Sequence, residues 1–149
     1  MNQERLAELV PILQVAIGPA ILISGVGLLL LTMTNRFGRI IDRSRILAAA
    51  MRGDDPAERT RAESQVAILW RRARLVRFAI LFGCLSVLLA ASLIILLFVA
   101  ALARLEIAWI LVGLFTACLL TLIASLVVFL REIDISLEAL KVDLFGARS

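Results

Sequence analysis

Three stretches of this chain hold no Asp, Glu, Lys, Arg or His: Val10 to Thr34, Phe78 to Leu102 and Ile107 to Leu130. A helix rises about 1.5 Å per residue, so each stretch reaches roughly 36 Å, enough to cross a hydrocarbon core about 30 Å thick. Lipid offers the backbone no hydrogen-bonding partner, so segments of this kind must satisfy their own N–H and C=O groups as helices. The expectation is an all-α integral membrane protein with three transmembrane helices. Composition agrees, because 62% of the residues are hydrophobic and the mean hydropathy is +1.00, above the roughly 45–50% apolar content of soluble domains. The first stretch reads as a retained anchor rather than a cleaved signal. Glu4 and Glu8 flank Arg5 before it, the apolar run is long, and the arginines follow it.

The positive charge sets the expected orientation. Between Asn35 and Arg77 stand Arg36, Arg39, Arg43, Arg45, Arg52, Arg59, Arg61, Arg71, Arg72, Arg74 and Arg77, whereas the N-terminus and the turn between the second and third spans hold one arginine each, Arg5 and Arg104. Arginine and lysine near spans are retained on the cytoplasmic side. This places residues 35–77 and the C-terminus in the cytoplasm, and the N-terminus and the Arg104 turn outside. A basic balance of 16 Lys+Arg against 12 Asp+Glu then needs no nucleic acid to explain it.

Residues 35–77 are patterned as two helices, not as a loop. Apolar or small residues recur at steps of three and four at Phe37, Ile41, Ser44, Leu47 and Met51, and again at Ala62, Val66, Leu69, Ala73 and Val76. Each set is a seam of coiled-coil type. Between them, Gly53 suits the end of a helix, Asp55 a cap, Pro56 a first helical position and Glu58 the return partner of a capping box. The long connection is therefore expected to be a cytoplasmic antiparallel helical hairpin whose arms continue the first two spans. Residues 131–145 read as an amphipathic helix, with Ile133, Leu137, Leu140 and Leu144 on one face. The whole chain forms one membrane domain.

The densest local pattern is Asn35-Arg36-Phe37-Gly38-Arg39-Ile40-Ile41-Asp42-Arg43-Ser44-Arg45. Asp42 stands three residues from both Arg39 and Arg45, within reach of a helical ion pair. Arg36, Arg39 and Arg43 share a face. Arg131-Glu132 leaves the third span at similar depth and is placed to join an inter-helix ion-pair network with these arginines, and guanidinium forks at this depth suit lipid phosphates. Together with "RRARLVR", which contains Arg72 and Arg74, and "FLRE", which contains Arg131 and Glu132, the pattern resembles a bacterial membrane-protein family catalogued only as a domain of unknown function. The resemblance covers nearly the whole chain and matches at Pro19, Asn35, Arg36, Arg39, Asp42, Arg43, Arg45, Arg72, Arg74 and Glu132. It implies a bacterial inner-membrane location and no particular activity.

Inside the spans, small residues recur at packing intervals: Ala16, Ala20 and Ser24 with Gly25 and Gly27; Ala79, Gly83, Ser86 and Ala90; Gly113, Ala117, Thr121 and Ser125. Cys84 and Cys118 lie alone within apolar runs and read as fillers of helix interfaces. Pro19 is expected to loosen the first span. No acid–base pair lies in the spans, which argues against proton-coupled transport and intramembrane hydrolysis. No cofactor or metal is expected, since His is absent and ligand clusters are missing. The sequence therefore favours a non-enzymatic protein that self-associates or docks on a larger complex and contacts anionic lipid through its arginines. The alternative is an oligomeric anion channel with Gln14, Ser24 and Thr32 in its wall.

Overall fold

The computed structural model describes residues 3–51 and 56–145, with side chains at 10–49, 51, 60 and 65–135. Its described residues form three helices, α1 (Gln3–Ala50), α2 (Pro56–Ala103) and α3 (Ala108–Phe145). Each contains a segment long and apolar enough to cross a membrane: Val10–Ala49, Gln65–Ala103 and Ala108–Ile135. The chain is a multi-pass membrane protein. At 48 residues each, α1 and α2 are about 72 Å long, more than twice the thickness of a bilayer core. They emerge from their apolar runs without a break and become the two arms. Pro56 opens α2, as its fixed φ favours, while Gly53, Asp55 and the Glu58 side chain lie outside the described residues. α1 is continuous across Pro11 and Pro19, and α3 runs unbroken through residues 131–145.

The turn between α2 and α3 is built by backbone geometry. Arg104 has a φ of 51°, and the Leu105 N–H donates to the Ala100 carbonyl at 2.9 Å. This is the long-range bond of a Schellman motif, with arginine at the left-handed position usually given to glycine. The Ile107 carbonyl then receives the Ile110 and Leu111 N–H groups at 3.0 and 3.2 Å and starts α3. A left-handed conformation costs a residue with a Cβ roughly 1–2 kcal/mol. Arg104→Gly is therefore expected to raise stability by about 1 kcal/mol, read as a shifted unfolding midpoint in mixed micelles. A lowered midpoint would contradict this account.

The chain divides into two compact units, Met1–Leu30 with Phe82–Ile123 and Leu31–Leu81 with Ala124–Ser149. In the first, Val26 of α1, Gly83, Ser86, Ala90, Leu93 and Ala100 of α2, and Cys118 of α3 are buried. Ser86 and Cys118 tie α2 to α3 reciprocally. The Ser86 hydroxyl donates to the Cys118 carbonyl at 3.0 Å and the Cys118 thiol donates to the Ser86 carbonyl at 3.3 Å. Small polar groups bonded across helices hold membrane helices together where apolar side chains gain nothing over lipid. Cys118 thus does fill an interface, but Cys84 is exposed. So are Ala20, Ser24, Gly25, Gly27 and Gly113.

In the second unit Met33, Ile40, Leu69, Val76, Ala79, Ser125 and Glu132 are buried. The arms meet through Ile40, Leu69 and Val76, with Phe37, Leu47, Ala73 and Ile80 packed around them. On α1 the seam runs through Ile40, where the sequence spacing pointed to its neighbour Ile41. Two adjacent isoleucines leave that choice open, and burial at Met33 and Ile40, seven residues apart, settles it. A heptad step keeps one face turned to a partner. The Ser125 hydroxyl donates to the Ala79 carbonyl at 2.7 Å, which brings α3 onto the backbone of α2.

Candidate functional site

Where α1, α2 and α3 leave their uncharged runs, the second unit joins three of the residues singled out by sequence. Arg36 lies two residues beyond Thr34, Arg72 six before Phe78 and Glu132 two beyond Leu130. Glu132 is completely buried. Its Oε1 accepts hydrogen bonds from Arg72 Nε at 3.3 Å and Nη2 at 3.1 Å, a two-pronged grip by one guanidinium edge. Its Oε2 lies 3.3 Å from Arg36 Nη2, an ion-pair contact out of hydrogen-bonding geometry, so that oxygen has no hydrogen-bond partner. The Arg36 guanidinium also sits 5.5 Å from the centroid of the Phe129 ring, close enough for a cation–π attraction. One carboxylate thereby fastens α1 and α2 to α3.

Beside this triad lies a concave cavity of about 460 Å³, lined by Thr32, Arg36, Arg39, Ile40, Arg43, Leu69 and Arg72. Arg36, Arg39 and Arg43 reach it from one face of α1, because residues three and four apart are helical neighbours. Ile40 and Leu69 supply apolar surface from the core where the arms meet. Arg39 and Arg43 are exposed and form no ion pair among the described residues.

The remaining residues of the sequence pattern are more dispersed. Asn35, Asp42, Arg45 and Arg131 are exposed. Asp42 makes no ion pair with Arg39 or Arg45 among the described residues, as expected where water competes for an exposed pair and the side chains lose entropy in forming it. Arg74 stacks over Trp70, 5.7 Å from its ring centroid, and belongs to another cavity. That one, about 490 Å³, is lined by Phe37, Ile41, Val66, Trp70, Phe78 and Leu81 among others. Gln14, Ser24 and Thr32 are exposed, and the Ser24 hydroxyl is turned back to its own helix at the Ala20 carbonyl, 3.3 Å away. Pro19 is half-buried and lines, with Gly18, Leu22, Leu97, Leu111 and Phe115, an apolar cavity of about 620 Å³ in the first unit.

Sequence reasoning passed over Phe129. It stands three residues before Glu132 on α3, the spacing that places two side chains side by side, and that was its only signal. No group of three or more His, Cys, Asp or Glu among the described residues is arranged to hold a metal ion. The site offers guanidinium donors and positive charge, a chemistry of binding and clamping.

Residues 16–142 match the model of a family described as a protein of unknown function (DUF2721). No curated protein and no solved structure matches the chain.

Proposed function

We propose that this chain, which belongs to the DUF2721 family of proteins of unknown function, is a non-enzymatic membrane scaffold that assembles with further copies of itself. The observation that carries this reading is apolar surface beyond the reach of lipid tails. Ile46, Ile68 and Trp70 are 71, 51 and 66% exposed. Ile46 lies twelve residues past the end of the first uncharged run and Ile68 ten before the second, about 15–18 Å along their helices. Trp70 borders the open cavity between the arms. Surface of this kind marks a protein interface.

A second copy is the favoured occupant because α1 leaves small residues uncovered on two sides. At Gly18, Gly25, Gly27 and Gly38 an added Cβ would meet nothing within 4 Å, and exposed small residues admit a neighbouring helix closely. An identical chain offers helices of matching length at matching depth. The anion-channel alternative finds less support, since Ser24 is bonded to its own backbone.

Native mass spectrometry of the chain in lipid nanodiscs tests the reading. The expected result is two or more copies, with Trp70→Glu shifting the distribution toward monomer by about tenfold, the scale of one lost interface anchor. A monomeric wild-type chain would overturn it.

The eleven arginines of residues 35–77 support a topology with the arms and C-terminus cytoplasmic, and the family resemblance supports a bacterial inner membrane as the place. Arg104→Cys in a cysteine-free background is then labelled on intact cells by a membrane-impermeant thiol reagent, and Arg45→Cys is not. The reverse pattern would invert the topology.

A further inference from the structure

We propose that the cavity formed by Thr32, Arg36, Arg39, Ile40, Arg43, Leu69 and Arg72 is a binding site for a phosphate group, carried on a lipid headgroup or free in solution. Four guanidiniums line one concavity, and the carboxylate beside them, Glu132, is engaged by two of the four. Like charges gathered this closely repel unless an anion lies among them. The exposed pair, Arg39 and Arg43, ion-pairs with no described residue and is free to turn its donors inward.

The donor type fits the ligand. A guanidinium presents paired N–H groups at the spacing of two phosphate oxygens, and delocalised charge makes it less costly to desolvate than an ammonium. Glu132 contributes by fixing two members of the set. Its grip on Arg72, and its contact with an Arg36 already held over Phe129, mean that less side-chain entropy is lost when the anion arrives.

Depth fits as well. The lining begins at Thr32, inside the first uncharged run, and ends at Arg43, nine residues beyond it. Along a helix that interval covers about 16 Å, from the edge of the hydrocarbon into the headgroup layer, where lipid phosphates lie. The inference requires only that the chain spans the membrane and holds equally for a monomer or an oligomer.

The experiment is native mass spectrometry of the full chain released from nanodiscs containing equal parts of phosphatidylglycerol and phosphatidylcholine. The wild-type chain is expected to retain the acidic lipid over the zwitterionic one. Arg39→Gln with Arg43→Gln should reduce that retention about tenfold or more, as expected for two cationic contacts at the membrane surface. Both side chains are exposed and ion-pair with no described residue, so the fold should survive. Arg45→Gln with Arg71→Gln removes the same charge from exposed positions outside the cavity and should leave retention unchanged. Adding inorganic phosphate separates the sources. Displacement of the lipid at millimolar phosphate assigns the site to the free anion, and no displacement assigns it to the headgroup. Equal retention of the two lipids by the wild-type chain, with no effect of inorganic phosphate on its thermal stability, would overturn the proposal. So would an equal loss in the two double variants.

Discussion

Glu132→Ala is expected to lower the stability of the folded chain by about 3 kcal/mol, the lower end of the cost of breaking a buried ion pair. Glu132 is fully buried, while the Arg36 and Arg72 side chains remain 26 and 19% exposed. Once the carboxylate is gone, the two guanidiniums face each other with water reaching only their edges, which moderates the penalty without removing it. Glu132→Gln keeps the volume and one acceptor oxygen and should cost about half as much. The triple replacement Arg36→Met, Arg72→Met, Glu132→Leu removes all the charges together and should come back close to wild-type stability, because an apolar set of similar volume needs no desolvation to be repaid. Reversible unfolding in mixed lipid–detergent micelles measures all three. A Glu132→Ala variant within 0.5 kcal/mol of wild type would mean that the clamp holds nothing.

The second large effect is expected at Ala79. The residue is fully buried, and the Ser125 hydroxyl reaches its carbonyl at 2.7 Å, so α3 rests on the backbone of α2 with no space for a longer side chain. Ala79→Leu should therefore force the helices apart and cost about 2–3 kcal/mol, the scale of overpacking plus a lost inter-helix hydrogen bond. The companion is Leu88→Ala on the same helix. Leu88 is 63% exposed and meets lipid, so its loss should change stability by less than about 0.5 kcal/mol. If the leucine deletion proves the more damaging, packing in the span follows hydrophobicity after all and the account of α2 is wrong.

That inversion explains which parts of the fold were legible in the sequence. Helices, spans and arms follow from charge-free length and apolar spacing, and both were visible. The Ala79, Gly83, Ser86 and Ala90 set was legible as small residues and is buried. On α3, however, the four-residue stripe Gly113, Ala117, Thr121, Ser125 does not mark the seam. Each step of four turns about 40° past a full circle, so the stripe winds off the contact face, and Gly113 ends exposed. Of that stripe Ser125 alone is buried, and among the described residues of α3 it is joined by Cys118 and Glu132, seven to either side and all polar or weakly so, a spacing with no apolar periodicity to mark it.

The boundary site was legible in its ingredients. Arg36 and Glu132 stand directly after apolar runs, where a charge must find a partner or a phosphate. The choice of Arg72 over Arg71, Arg74 or Arg77 depended on the facing angle of α2, a tertiary quantity. Asp42 shows the opposite case, a spacing permissive of ion pairs on a face where water leaves them little advantage.

Within the second unit Ser125 meets Ala79 and Glu132 meets Arg72, so seven residues gained along α3 are matched by seven lost along α2. Such a register acts as a rule of grammar for length. One residue inserted between Ser125 and Glu132 would rotate everything after it by about 100° and carry the carboxylate away from both arginines. Two helices written this way can lengthen or shorten together by whole heptads, but they cannot change by a single letter within the ladder.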